Sequence, residues 1–167
     1  MSPEQLSEVL RLESGLYLWC RRGIILTSFI SALCMMVVAV YQTGIVRHLI
    51  EPPLRLFNAD RVDAAPEAYS RMHLPMPDAF VGLVSYAITA ALASLGGATR
   101  YERWWWLPLL LGLKVFADAY QAGKLSWEQW SVHREFCFWC LLAAMATIIA
   151  VPLAVPEMWA ALKRILQ

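Results

Sequence analysis

Phe136-Cys137-Phe138-Trp139-Cys140-Leu141-Leu142-Ala143-Ala144-Met145 opens an apolar run that continues without a charge to Val155. A run of about 20 such residues is long enough to cross a bilayer as a helix. Two cysteines three apart, at the polar mouth of that run, read as a redox or metal pair. Together they point to dithiol chemistry at a membrane surface, within reach of a lipid-soluble partner.

The rest of the chain agrees with a membrane setting. Only 16% of its 167 residues are charged, against roughly 25% in soluble domains. The net charge of +1 gives nucleic acid no footing. Eight Trp and six Tyr suit interfacial belts. Four apolar segments are predicted to span, at about 23–41, 79–99, 104–120 and 136–155. The fold class is therefore an all-α membrane protein. It is a four-transmembrane-helix bundle with a long extracytoplasmic loop, 42–78, between the first two spans. The four-residue link Arg100–Arg103 makes the second and third spans antiparallel neighbours.

Residues 1–22 read as an N-terminal cytoplasmic or interfacial helix, with no cleavable leader. Ser2 and Gln5 form a capping box there, and Pro3 takes the first helical position. Residues 23–155 form the membrane domain and 156–167 a cytoplasmic tail. Basic residues crowd the short segments around Arg21, Arg22, Arg100, Arg103, Lys163 and Arg164. Both termini are then cytoplasmic, and the loop and Cys137 face outward. In a bacterium that means a multi-pass protein of the inner membrane. Within the loop, Asp63 is expected near a helix N-cap, with a short surface helix over Pro66–Met72.

At i and i+3 on a helix, Cys137 and Cys140 share a face and can close a disulfide. Cys137 in the first turn gains from unpaired N–H groups, and Arg134 adds positive charge. Inert burial is the bland alternative. A metal reading places His133, Cys137 and Cys140 at i, i+4 and i+7, as three ligands with an open position. A surface histidine with no metal at all is the preferred reading of His133. Cys20 and Cys34 are packing residues, since about 21 Å of helix separates them.

Lys114, Asp118 and Gln121 recur at i, i+4 and i+7 inside the third span. They read as a buried ion pair, or as a proton path. Asp78 sits before an apolar run and is a candidate N-cap.

A CxxC at the head of the fourth span resembles the vitamin K epoxide reductase family. Pro77-Asp78-Ala79-Phe80-Val81-Gly82-Leu83-Val84-Ser85-Tyr86 resembles that family's entry into its second span, and Val62–Tyr69 its loop helix. The resemblance covers roughly Gly23–Val155. It implies a thiol-quinone oxidoreductase in which Cys140 faces a quinone, ubiquinone or menaquinone. Cys137 would exchange with a thioredoxin-fold partner to support disulfide formation. Asp78, Tyr86 and Trp139 would line the quinone site. Two departures stand out. The family's loop cysteine pair is missing, with Ala59 at one of its positions, so no internal relay exists. The tyrosine after the CxxC is replaced by Ala144. A non-catalytic membrane subunit or assembly factor that keeps the fold is therefore the competing reading.

Overall fold

The computed structural model describes residues 2–69 and 75–166. Helix α1 spans Pro3–Leu12, and α2 spans Leu16–Gln42. The loop holds a one-turn helix α3, Ala59–Val62, and a 3₁₀ turn, Pro66–Tyr69. Helix α4 spans Asp78–Ser94, α5 Arg100–Arg103, α6 Trp106–Glu128 and α7 Phe138–Leu166, with a π-turn at Gln129–His133. The described residues contain no strand, only an isolated parallel bridge between Phe57 and Phe136.

Helix α2 packs against α4 on one side and α7 on the other, and α6 packs against α7. Small side chains let the backbones approach. Ala143, Ala146, Ala150 and Ala154 are buried along one face of α7, and Ser31 Oγ donates to the Ala143 carbonyl at 3.1 Å. Ile24, Ala93, Leu111 and Val115 complete one core cluster with Ala150 and Ala154. A second cluster gathers Val38, Ala39, Ala59, Val62 and Ala79 around Cys137.

Two helices, α2 and α7, are long and apolar enough to cross a membrane, and α4 is a shorter apolar helix. Their outward faces are apolar too, with Leu26, Phe29, Leu33, Met145, Ile148 and Ile149 all exposed. A helix apolar on every side needs a nonpolar surrounding.

The helix ends differ from the sequence expectation. Helix α2 starts at Leu16, so Arg21 lies inside it, and α4 stops at Ser94. Gly96 at φ 78° turns the chain there. Arg21 then donates to the carbonyls of Ala93, Gly96 and Gly97 at 2.9–3.0 Å. Arg100 donates to those of Leu92 and Leu95. Both arginines are buried rather than lying on the surface as topology charges. They satisfy carbonyls that a helix C-terminus leaves open. Helix α7 passes through Pro152 and Pro156 to Leu166, so residues 156–166 are not a separate tail. Burial of Glu157 and Ala161 beyond the prolines holds it together.

At the N-terminus the capping box forms as expected, with Ser2 and Gln5 bonded reciprocally. In the loop, Asn58 caps α3 and accepts from the Arg61 N–H at 3.2 Å. Asp63 follows the C-terminal end of that helix instead of starting one. The expected helix over Pro66–Met72 is a 3₁₀ turn as far as Tyr69; its last residues lie outside the described set.

Candidate functional site

The dithiol sits where the loop meets the head of α7. The π-turn ends at His133, and Arg134 follows in the left-handed region at φ 59°. Phe136 then runs extended and pairs with the loop. The Phe136 N–H donates to Leu56 O at 2.8 Å, and the Asn58 N–H donates to Phe136 O at 2.9 Å. This break puts Cys137 one residue before α7, in the N-cap place. Its carbonyl accepts from the Leu141 N–H at 3.0 Å, and its Sγ accepts from the Cys140 N–H at 3.2 Å. A helix N-terminus aimed at sulfur favours thiolate character, but burial outweighs it and pushes the Cys137 thiol up from its ordinary value.

The break also separates His133 from the cysteine face, because no continuous helix joins them. The alternative His133–Cys137–Cys140 ligand set therefore does not form. Asp63, Cys137 and Cys140 come together, with one oxygen and two sulfurs within 4.8 Å of one another. Arg134 does not reach the thiols either; its guanidinium lies 5.5 Å over the Trp130 ring.

The loop covers Cys137 completely, leaving it 0% exposed. Glu51 fastens that cover, accepting from the Phe138 N–H at 2.9 Å and the Ala59 N–H at 2.7 Å. Gln129 Oε1 accepts from the Cys137 N–H. Trp139, expected to touch a quinone, donates from Nε1 to the Ile50 carbonyl at 3.0 Å. It is absent from the lining of the cavity described next, and holds the loop down instead.

That cavity, about 580 Å³, lies between α4 and α6. Cys140 lines it and Cys137 does not. Val81, Gly82 and Ile88 give α4's apolar wall, and Ala117, Ala122 and Leu125 that of α6. Polar side chains interrupt these walls, Asp63, Asp78, Tyr86, Lys114, Asp118 and Gln121 among them. Such a mix suits a mostly apolar ligand with a few oriented polar atoms. Ala144 also lines it, where a tyrosine would have narrowed the space.

Asp78 is the first residue of α4, and Pro77 occupies the N-cap without a side-chain bond. The expected capping role of Asp78 is taken by Gln42. Gln42 Nε2 donates to Asp78 Oδ1 at 2.8 Å and to the Asp63 carbonyl at 3.3 Å, while its Oε1 accepts from the Ala79 N–H. Sequence reasoning missed Gln42 because it looked like the start of the loop. Tyr86 lines the cavity, its Oη 3.2 Å from Thr147 Oγ1.

Asp63 was also missed as a site residue. Its Oδ1 lies 3.5 Å from Cys140 Sγ. Its Oδ2 is buried without a hydrogen-bond partner. Burial is the main force that pushes its carboxyl up to about 7, and the charges of Asp78 and Glu51 add to it. Hydrogen bonds from the two thiols pull the other way.

Lys114 and Asp118 pair on the cavity wall, with Nζ 2.6 Å from Oδ2. Ser85 Oγ and Thr89 Oγ1 donate to the same carboxylate at 2.8 and 2.6 Å. Every oxygen of Asp118 is engaged, which fits the ion-pair reading. Replacing Lys114 with Met should cost about 3 kcal/mol, the low end for breaking a buried pair. The double variant Lys114→Met/Asp118→Leu should recover most of that in detergent unfolding. Equal losses in both would show that the charges do not act as a pair.

A family model for the vitamin K epoxide reductase family matches residues 22–155. No curated protein and no solved structure matches the chain.

Proposed function

The chain belongs to the vitamin K epoxide reductase family, whose members are membrane-embedded thiol oxidoreductases, and on that premise we propose that it passes electrons from its Cys137–Cys140 dithiol to a membrane quinone. One observation carries the reading: Cys140, alone of the pair, opens on an apolar cavity of quinone-like capacity. The net reaction converts two thiols and a quinone into a disulfide and a hydroquinone, with two electrons and two protons moving together.

Four spans, α2, α4, α6 and α7, carry the protein through a bacterial inner membrane with both termini cytoplasmic. The loop and dithiol then lie on the outer side. Cys137 exchanges with a thioredoxin-fold protein, by thiolate attack on its sulfur. The loop has no cysteine to relay electrons. Ala59 shares the apolar cluster around Cys137, which supports direct attack by the partner. That attack requires the Glu51 and Trp139 fastenings to open. The resulting disulfide equivalents support disulfide formation in exported proteins.

Full burial of Cys137 and the missing loop cysteines favour one rival, a non-catalytic member that keeps the fold. The same experiment separates the two. The purified protein is reduced, freed of reductant, and mixed with ubiquinone or menaquinone. Thiol loss matched by hydroquinone formation is the expected result. Thiols that stay reduced with both quinones would reject the redox reading.

A further inference from the structure

A buried carboxylate oxygen with no donor is costly, on the order of 1–3 kcal/mol. Asp63, the carboxylate that reaches a thiol, bears this cost; Glu135, two residues before Cys137, also buries an unpartnered Oε2, but its Oε1 pairs with Arg61. Glu51 spends both oxygens on backbone N–H groups. Asp78 Oδ1 is held by Gln42 Nε2. Asp63 keeps Oδ1 at 3.5 Å from Cys140 Sγ and leaves Oδ2 buried and unpartnered. Its backbone is fixed at both ends. The N–H donates to Ala59 O at 2.8 Å, and the carbonyl accepts from Gln42 Nε2. The side chain is thereby held at the cavity wall that Cys140 shares.

We infer that Asp63 is the acid–base residue of this dithiol, taking the Cys140 thiol proton as the thiolate forms and returning it to the reduced quinone. The inference rests on the thiol-quinone reading. The step balances as follows. The Cys140 proton moves to Asp63, and the thiolate adds to a quinone ring carbon. Cys137 Sγ then attacks Cys140 Sγ, so that the S–S bond forms and the C–S bond breaks, its electron pair staying with the ring. The proton on Asp63 and the proton released by Cys137 end on the two hydroquinone oxygens.

The carboxyl's rise to about 7 suits the task, because a base works best when its pKa lies near the working pH. The titratable groups that act on it are Glu51 and Tyr69 from the loop, Asp78 from α4, Tyr41 from α2, and the two cysteines; Glu67 from the loop, Lys114, Asp118 and Glu128 from α6, and His133 from the π-turn line the same cavity. The groups that act on it are acidic or neutral, and Lys114 is paired with Asp118, so the raised value stays raised. Below pH 7 Asp63 holds its proton and cannot accept another. The rate of dithiol oxidation therefore climbs as pH rises through 7.

The test uses the full chain, reduced, in lipid nanodiscs, with a short-chain ubiquinone in single turnover from pH 5 to 9. Wild type should show the rising limb near pH 7. Asp63→Asn should lose that limb and run about 10²-fold slower at pH 8, a typical value for a general base. Asp63→Glu should restore part of the rate. A second arm omits quinone and traps Cys140 with methyl methanethiosulfonate, read by peptide mass. Trapping should show the same limb in wild type and the same loss in Asp63→Asn.

The sign is diagnostic. A carboxylate that is merely a negative neighbour opposes the thiolate, so removing it would speed trapping and overturn the inference. A wild-type trapping rate flat across pH 7 would overturn it with no variant needed. Asp63-dependent trapping without any quinone oxidation in wild type would support the base and reject the quinone reading.

Discussion

Cys140→Ala is expected to abolish oxidation of the protein by quinone, whereas Cys137→Ala is expected to arrest it halfway. The asymmetry follows from burial. Cys140 lines the cavity and Cys137 is sealed beneath the loop, so only Cys140 meets a bound quinone. With Cys140 gone, the remaining thiol has no path to the acceptor, and the rate should fall to that of free quinone with a buried thiol. With Cys137 gone, Cys140 still reacts, but nothing displaces it. A covalent quinone adduct at Cys140 should accumulate, and added small thiols should release it as hydroquinone. Intact-protein mass separates the two variants directly. A Cys140→Ala protein that still turns over would place the electron exit elsewhere, and an adduct at Cys137 would reverse the assigned roles. Cys20 and Cys34 offer no substitute, since both are buried in α2 and neither lines the cavity.

The parts of this arrangement that were legible in the sequence are those set by short spacing. The CxxC, the capping box at Ser2 and Gln5, and the Lys114–Asp118 pair each depend on residues three or four apart, which a helix brings together whatever the rest does. The His133 set used the same logic and failed. It assumed one helix from 133 to 140, and the left-handed Arg134 interrupts it. The strand-like pairing of Phe136 with the loop is a long-range event that no local pattern announces. Gln42 and Glu51 escaped notice, and Asp63 was read only as a helix cap, for a related reason. Each looks like an ordinary polar loop residue until the loop folds over α7, when Glu51 reaches Phe138 and Asp63 reaches Cys140. Trp139 shows the converse. Its place between the cysteines suggested a ligand contact, yet its ring reaches the Ile50 carbonyl. Helix ends were misjudged wherever a charge looked like a boundary. Arg21 was taken as the edge of an apolar run, yet it lies buried inside α2, where it meets Glu157 of α7.

That meeting carries the largest stability effect. Glu157→Leu is expected to destabilise the protein by about 3–5 kcal/mol, the range for removing one partner of a buried ion pair. Arg100 grips Glu157 with two parallel bonds, Nε to Oε1 and Nη2 to Oε2, each 2.7 Å. Arg21 Nη1 approaches the same carboxylate at 3.9 Å. All three side chains are at most 3% exposed, so water cannot replace the lost charge. Without Glu157, two buried guanidiniums face only the carbonyls at the end of α4. Those carbonyls satisfy donors but do not neutralise charge, and the two cations then repel each other. Arg100→Lys should also be costly, because an ammonium cannot make the paired bonds of a planar fork. Glu157→Gln should cost less than Glu157→Leu, since it keeps one acceptor oxygen. Unfolding midpoints in detergent rank the three variants. A wild-type midpoint for Glu157→Leu would mean that the α4 carbonyls alone hold both arginines. The dithiol offers an internal control. Cys140 lies about 25 Å along α7 from Glu157 at 1.5 Å per residue, so quinone oxidation by the folded fraction should keep its wild-type rate and pH limb even as that fraction shrinks. A change in the pH limb would instead mean that the two ends of the bundle are mechanically coupled through α7.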